Sequence, residues 1–351
     1  MKRLAAFDIA KGIAMIAVIV GHCDLLGVPD SIRDFCFSFH MPLFFIVSGY
    51  FLKPTARLDR DFVAKSAKSL LIPYAVTCAI VVVLAFLKSL LFLPFADAVQ
   101  RAVDFTLAAL WGAGALEVAM PGATVAIGAV WFLLALFWAR LFLAAANGTR
   151  YPLVVVLGLF AMGYCTSDAF WLPASIQAGM CCTLFVYVGQ KVREAAVFER
   201  GAVSPLLWCT MLLFWLYCGI YCGKLYMVSN TYTNGIVDVI GGICGTLCIV
   251  KGAQLVSERL PRLLAPLELL GRNTLPVFCM HLVEIDVFPW VVSLPYIEAL
   301  PGPTWVCGLA LRVVLIAVMV TVLYFSPRVL SGVYFPSRKR PKPELTPAAG
   351  E

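Results

Sequence analysis

Ten blocks of almost unbroken apolar residues, each near the length that crosses a lipid bilayer, leave this chain few alternatives to a membrane helix bundle. A hydrocarbon core takes about 20 helical residues at 1.5 Å each. Blocks of that order recur near residues 7–26, 35–52, 69–92, 125–146, 152–168, 171–190, 204–222, 235–255, 269–292 and 304–327. A transmembrane β-barrel would instead show short segments that alternate apolar with polar. A soluble domain is excluded by composition: 62% of the 351 residues are hydrophobic and 13% charged, too little polar surface to solvate a domain of this size. The expected fold class is all-α, a polytopic transmembrane bundle of about ten helices.

The net charge of +7 does not indicate a nucleic-acid partner, because the cations are spread over many short loops. Their distribution is topological. With a cytoplasmic N-terminus, twenty-one Lys and Arg residues fall to inner segments, and only Arg33, Arg101 and Lys224 fall to outer ones. Both termini are then cytoplasmic. The apolar run after Met1-Lys2-Arg3 contains Asp8 and Lys11 and lacks a small-residue cleavage site, so it is retained as the first helix. Residues 1–335 read as one transmembrane domain and 336–351, rich in Pro, Lys and Arg, as a disordered cytoplasmic tail. The longest outer connection is 94–122, whose 102–118 portion reads as a short interfacial or re-entrant helix. The 13 cysteines contain no CxxC pair and mostly lie inside apolar blocks, as small core residues rather than metal ligands. Cys23 and Cys36 both fall toward the outer surface, where a disulfide is conceivable but is not fixed by spacing.

Chemistry concentrates in three segments. In FDIAKGIAMIAVIVGH, Asp8, Lys11 and His22 share one stripe, since eleven residues return Lys11 and His22 to within about 20° of the same face. Along the axis these two are about 16 Å apart, Lys11 in the cytoplasmic leaflet and His22 near the outer end. Ionisable groups within a span mark functional paths, although Lys11 snorkelling to the headgroups and pairing with Asp8 is an equally open reading. The chain has three histidines, His22, His40 and His281, each in or beside an apolar span. Each is either a general base matched to neutral pH or a buried imidazole held for packing. FSFHMPLFFIVSGYF places His40 at the outer end of the second block, and its Ser48-Gly49 pair permits close helix approach. In LGRNTLPVFCMHLVE, His281 lies near the midplane with Glu284 one turn outward on the same face, and Pro276 points to a kink. Trp131 reads as an interfacial aromatic. The loop after the second block carries Arg57 and Arg60, which are either topogenic charge or phosphate ligands.

Together these segments resemble the integral-membrane acyltransferase family 3, and within it the fucose 4-O-acetylase-like branch, whose members carry FHMPLFFxxSG. Lys11 and His22 fit the family's pattern of a basic residue, ten intervening residues and a histidine, with lysine in place of the commoner arginine. Arg57 to Arg60 fits its cytoplasmic RxxR. GRNTLPVFCMH is similar to its late G-x-N-[ST]-L…H segment, and the WFL at 131–133 also fits.

The resemblance implies transfer of an acyl group, commonly acetyl from cytoplasmic acetyl-CoA, to a hydroxyl of a cell-surface or lipid-linked carbohydrate. Under it, His22 is the general base and His40 the next catalytic candidate. Lys11, Arg57 and Arg60 bind the donor, and Asp8, His281 and Glu284 support the site. No metal and no bound cofactor are implied; acyl-CoA is a co-substrate, and the partners are the acceptor and the bilayer of a bacterial inner membrane or plasma membrane. A transporter or flippase of a glycan or lipid precursor is the rival from the residues alone, weakened by the lack of internal repeats or paired broken helices.

Overall fold

The computed structural model describes residues 5–199 and 201–336, and among these no β-strand forms. In chain order the helices are α1 (Ala5–Gly21), α2 (Asp30–Phe37), α3 (His40–Phe51), α4 (Arg60–Phe92), α5 (Phe95–Trp111), α6 (Trp131–Ala146), α7 (Pro152–Thr166), α8 (Ile176–Glu194), α9 (Pro205–Tyr221), α10 (Ile236–Arg259), α11 (Ala265–Arg272), α12 (Thr274–Val287), α13 (Trp290–Glu298), α14 (Thr304–Phe325) and α15 (Arg328–Tyr334). Residues 337–351, nearly all of the expected tail, lie outside the described part, as do Lys2, Arg3 and Arg200.

Each of the ten apolar blocks falls on one or more helices. By length and composition, five spans among the described residues can cross a bilayer: Asp30–Phe51, Arg60–Phe92, Gly128–Ala146, Ile236–Arg259 and Thr304–Phe325. A sixth is counted if α12 and α13, bent by 89°, form one broken span. The other four blocks are α1, α7, α8 and α9, of which α7 and α9 are apolar but shorter.

Local chemistry sets several boundaries differently from the sequence reading. The first helix stops at Gly21, not near residue 26, because a short 3-10 turn over Asp24–Leu26 is closed by Gly27 in the left-handed region at φ 75°. Helix α5 lies earlier than the expected 102–118, starting after Pro94 and ending at Gly112 with φ 78°. Pro276 produces no kink. It sits in the first turn of α12, where a missing N–H costs nothing, and the chain breaks instead at Asn273. Trp131 is not interfacial but buried in the core at the start of α6, against Gly114.

Helix α1 runs through the middle of the bundle. Most of its residues are buried, as befits a helix apolar on all sides except its charged stripe. Small residues let its neighbours approach closely: a Cβ on Gly12 would strike the Leu267 carbonyl of α11, and one on Gly271 would strike the Asp8 carbonyl. The α3–α8 contact is reciprocal, with Gly49 against Val186 and Gly189 against Ile46. Between membrane helices such contacts replace the hydrophobic effect as the source of packing energy. Gly49→Leu is therefore expected to destabilise the fold by about 1–3 kcal/mol or more through overpacking. Gly252→Ala, at a helical site with nothing within 4 Å, should be neutral or stabilising by up to ~1 kcal/mol. Thermal unfolding in detergent checks both, and equal melting temperatures for wild type and Gly49→Leu would refute the close-packing account.

Candidate active site

The two ends of α1 open onto different chemistry. At its last turn, His22 is half-buried, whereas His40 and His281 are 1% and 0% exposed. Of the three histidines, only His22 keeps accessible surface. Its Nδ1 lies 2.7 Å from the Val18 carbonyl. A carbonyl only accepts, so Nδ1 carries the proton and Nε2 presents the lone pair. His40 repeats the arrangement, its Nδ1 donating to the Cys36 carbonyl at 2.7 Å. The Phe37 ring lies between them, with centroids 5.9 Å from His22 and 4.8 Å from His40. Tyr226, in the loop before α10, also packs on Phe37, with ring centroids 5.9 Å apart. Burial raises its phenol pKa, so its hydroxyl stays a proton donor at neutral pH.

Behind His22 stands a buried polar array. The His281 ring meets the His22 ring edge-on at 5.6 Å. His281 Nδ1 is 3.3 Å from Glu284 Oε2, and Glu284 Oε1 is 3.3 Å from Arg312 Nε. Arg312 then returns to the first helix, donating through Nη1 to the His22 carbonyl at 2.6 Å. Its guanidinium lies over Trp290 at 4.8 Å from the ring centre. One cation on α14 thus ties together the end of α1, the carboxylate of α12 and the aromatic at the head of α13. Lys88 adds a brace, donating to the Asp286 carbonyl at 2.6 Å. Cys23 and Cys36 are both buried free thiols, so the conceivable disulfide between them is not formed.

At the opposite end, Lys11 Nζ is 2.9 Å from Asp8 Oδ1, and Arg272 Nε reaches Asp8 Oδ2 at 3.6 Å while also pairing with Glu268. The pairing of Lys11 with Asp8 that the spacing allowed is thus present. Lys11 nonetheless lines a cavity of about 330 Å³, with Ser48, Ser69, Arg140 and Thr274 among its polar walls. Arg57 and Arg60 are exposed and do not line it. They lie on the segment between Phe51 and Ser69, both of which do. Asp59 between them caps α4, accepting from the Phe62 amide at 2.7 Å. Aromatic rings form part of the cavity wall: Phe132 contacts Phe44 at 5.7 Å, Phe45 at 5.0 Å and Phe278 at 5.7 Å, and Met41, next to His40, also lines it. Phe278 precedes His281 by one helical turn.

The model of a family described as an acyltransferase domain matches residues 4–323, nearly the whole chain. The chain belongs to the integral-membrane acyltransferase family 3. No curated protein and no solved structure matches it. It is a multi-pass membrane acyltransferase, and the matched region contains both ends of α1 and every side chain described above.

Sequence reasoning missed two residues of this candidate site in the acyltransferase. Arg312 carried a usable signal: the positive-inside assignment leaves Lys11, Lys88 and Arg312 as the cations within apolar blocks. A buried cation demands a partner, and Glu284 is the one it finds. Arg140 gave no such signal, because it lies close enough to the end of its block to pass for topogenic charge. Among the described residues no cluster of His, Cys, Asp or Glu is gathered as metal ligands.

Proposed function

We propose that this protein moves an acyl group, acetyl in the simplest case, from cytoplasmic acyl-CoA to a hydroxyl of a cell-surface or lipid-linked carbohydrate. His22 is the general base. The observation that carries this reading is the tautomer of His22: Nδ1 is committed to the Val18 carbonyl, so Nε2, on the one histidine with accessible surface, is the free base. His22 Nε2 takes the acceptor proton as the oxygen attacks the thioester carbonyl; the C–S bond then breaks and the CoA thiolate leaves, to be protonated. His40, beside Phe37 and 1% exposed, is the second catalytic candidate, for acceptor contact or proton handling once Phe37 moves aside.

Dimensions favour a donor that enters from the Lys11 end. The rise from Lys11 to His22 is about 16 Å. An extended pantetheine arm, about thirteen bonds at roughly 1.2 Å each as in extended backbone, spans the same length. With the nucleotide at the rim near Arg57 and Arg60, the arm runs through the cavity and parts Phe132 from Phe278, bringing the thioester to His22. The ten-span topology with a cytoplasmic N-terminus belongs to this proposal, since it puts the basic rim beside the cytoplasmic donor.

Purified protein supplied with radiolabelled acetyl-CoA and extracts of envelope glycans should transfer label to the glycan. Substrate-dependent uptake into vesicles without CoA binding would refute the proposal. Exchange of both Arg57 and Arg60 for Gln is expected to raise KM for acetyl-CoA about tenfold or more, since each charged hydrogen bond contributes about 1.5–3 kcal/mol, with kcat little changed. An unchanged KM would return these arginines to a purely topological role.

A further inference from the structure

Arg140 is a cation in search of a counter-charge. It projects from α6 into the cavity that Lys11 lines from α1, and its Nε donates to Ser48 Oγ at 3.1 Å. Among the described residues no carboxylate lies within ion-pair distance of it. The other charges at this depth cancel one another: Asp8 answers Lys11 and Arg272, and Glu268 answers Arg272 again. The cavity is therefore left with a half-buried guanidinium that no carboxylate answers, and a charge partly withdrawn from water without a counter-charge is costly.

We propose that Arg140, with Lys11 opposite and the hydroxyls of Ser48, Ser69 and Thr274 around it, forms a phosphate subsite. Its ligand is the phosphate that heads the donor's pantetheine arm. A guanidinium presents paired N–H donors that match two phosphate oxygens, and hydroxyls complete the shell. Depth selects this phosphate over those of the nucleotide. Lys11 lies six residues inside the end of α1 and Arg140 six residues inside the end of α6, about 9 Å in each case. From that level the arm just reaches His22, whereas the exposed Arg57 and Arg60 lie at the rim for the nucleotide. This assignment rests on the acyl-CoA reading above.

Equilibrium binding to the purified full-length chain in detergent tests it with three probes: acetyl-CoA, S-acetyl-4′-phosphopantetheine and S-acetylpantetheine. Arg140→Met is expected to weaken the two phosphorylated probes tenfold or more and to leave the weaker binding of S-acetylpantetheine unchanged, with Arg140→Lys in between. Ser48→Ala, which unhooks the guanidinium and removes one hydroxyl of the shell, should give the same pattern at smaller size and serves if Arg140→Met does not fold. Equal losses for all three probes would make Arg140 a packing residue and overturn the subsite. Undiminished binding of the phosphorylated probes would overturn it too, and would leave a lipid headgroup as the source of any phosphate there. Failure of the wild type to bind either phosphorylated probe would instead remove the acyl-CoA reading, and the subsite with it.

Discussion

His22→Ala is expected to lower acyl transfer by about 10²- to 10⁴-fold, the range that a positioned general base contributes, while acyl-CoA still binds. The two readouts separate because His22 does not line the cavity, which meets α1 at Lys11, about 16 Å along the axis from His22. His22→Asn probes the tautomer argument, since its amide keeps a group able to donate toward the Val18 carbonyl but supplies no base. It should be as inactive as the alanine variant and closer to wild type in stability. Full transfer by either variant, at equal protein and donor, would remove His22 from the base role. His40 would then be the remaining histidine beside Phe37, and His40→Ala the next measurement.

The second large effect is expected at Arg312. The residue is 2% exposed and its two anchors, Glu284 on α12 and the His22 carbonyl just past α1, lie on segments far apart in sequence. Arg312→Met removes one partner of a buried ion pair and leaves Glu284 uncompensated, a change that costs about 3–5 kcal/mol. The second substitution Glu284→Gln removes the stranded charge and should recover much of that stability. Activity is expected not to return with it, because the end of α1 has lost the donor that fixes the His22 backbone, and a misplacement of about 1 Å can cost about 10²-fold in rate. Thermal unfolding and transfer rate of the single and double variants form a cycle. Recovery of both together would mean that Arg312 serves stability alone; loss of rate with recovered stability identifies it as a positioning residue.

The same residues mark how far the sequence could be read. The i, i+3 spacing of His281 and Glu284 is enough to put both on one face of α12, since helical periodicity is a local property. Asp8 and Lys11 were legible for the same reason. The link from Glu284 to Arg312 and on to His22 was not, because it joins α12, α14 and α1 across nearly the whole chain, and no local period encodes which helices meet. Arg140 is the sharper case. Its sequence position reads as loop charge, and only the approach of α3, which brings Ser48 to it, turns it toward a cavity.

What the sequence determined by itself was the solvent and the material of the fold. Apolar blocks near bilayer length admit only helices that satisfy their own backbone, and three histidines and a few cations within or beside those blocks are expensive enough to advertise a site. Tertiary structure decided how those helices break and which side chains meet. Gly27, Gly112 and Asn273 end helices inside or beside apolar stretches that hydropathy alone runs together. Glycine contacts such as Gly12 on Leu267 and Gly49 on Val186 set which helices lie side by side. Helix α1, which began as one apolar block among ten, is buried at the centre because its small residues let neighbours close around it. That burial places a half-exposed imidazole at one end and a cation-lined cavity at the other, an arrangement that depends on packing between distant segments and is written in no single one of them.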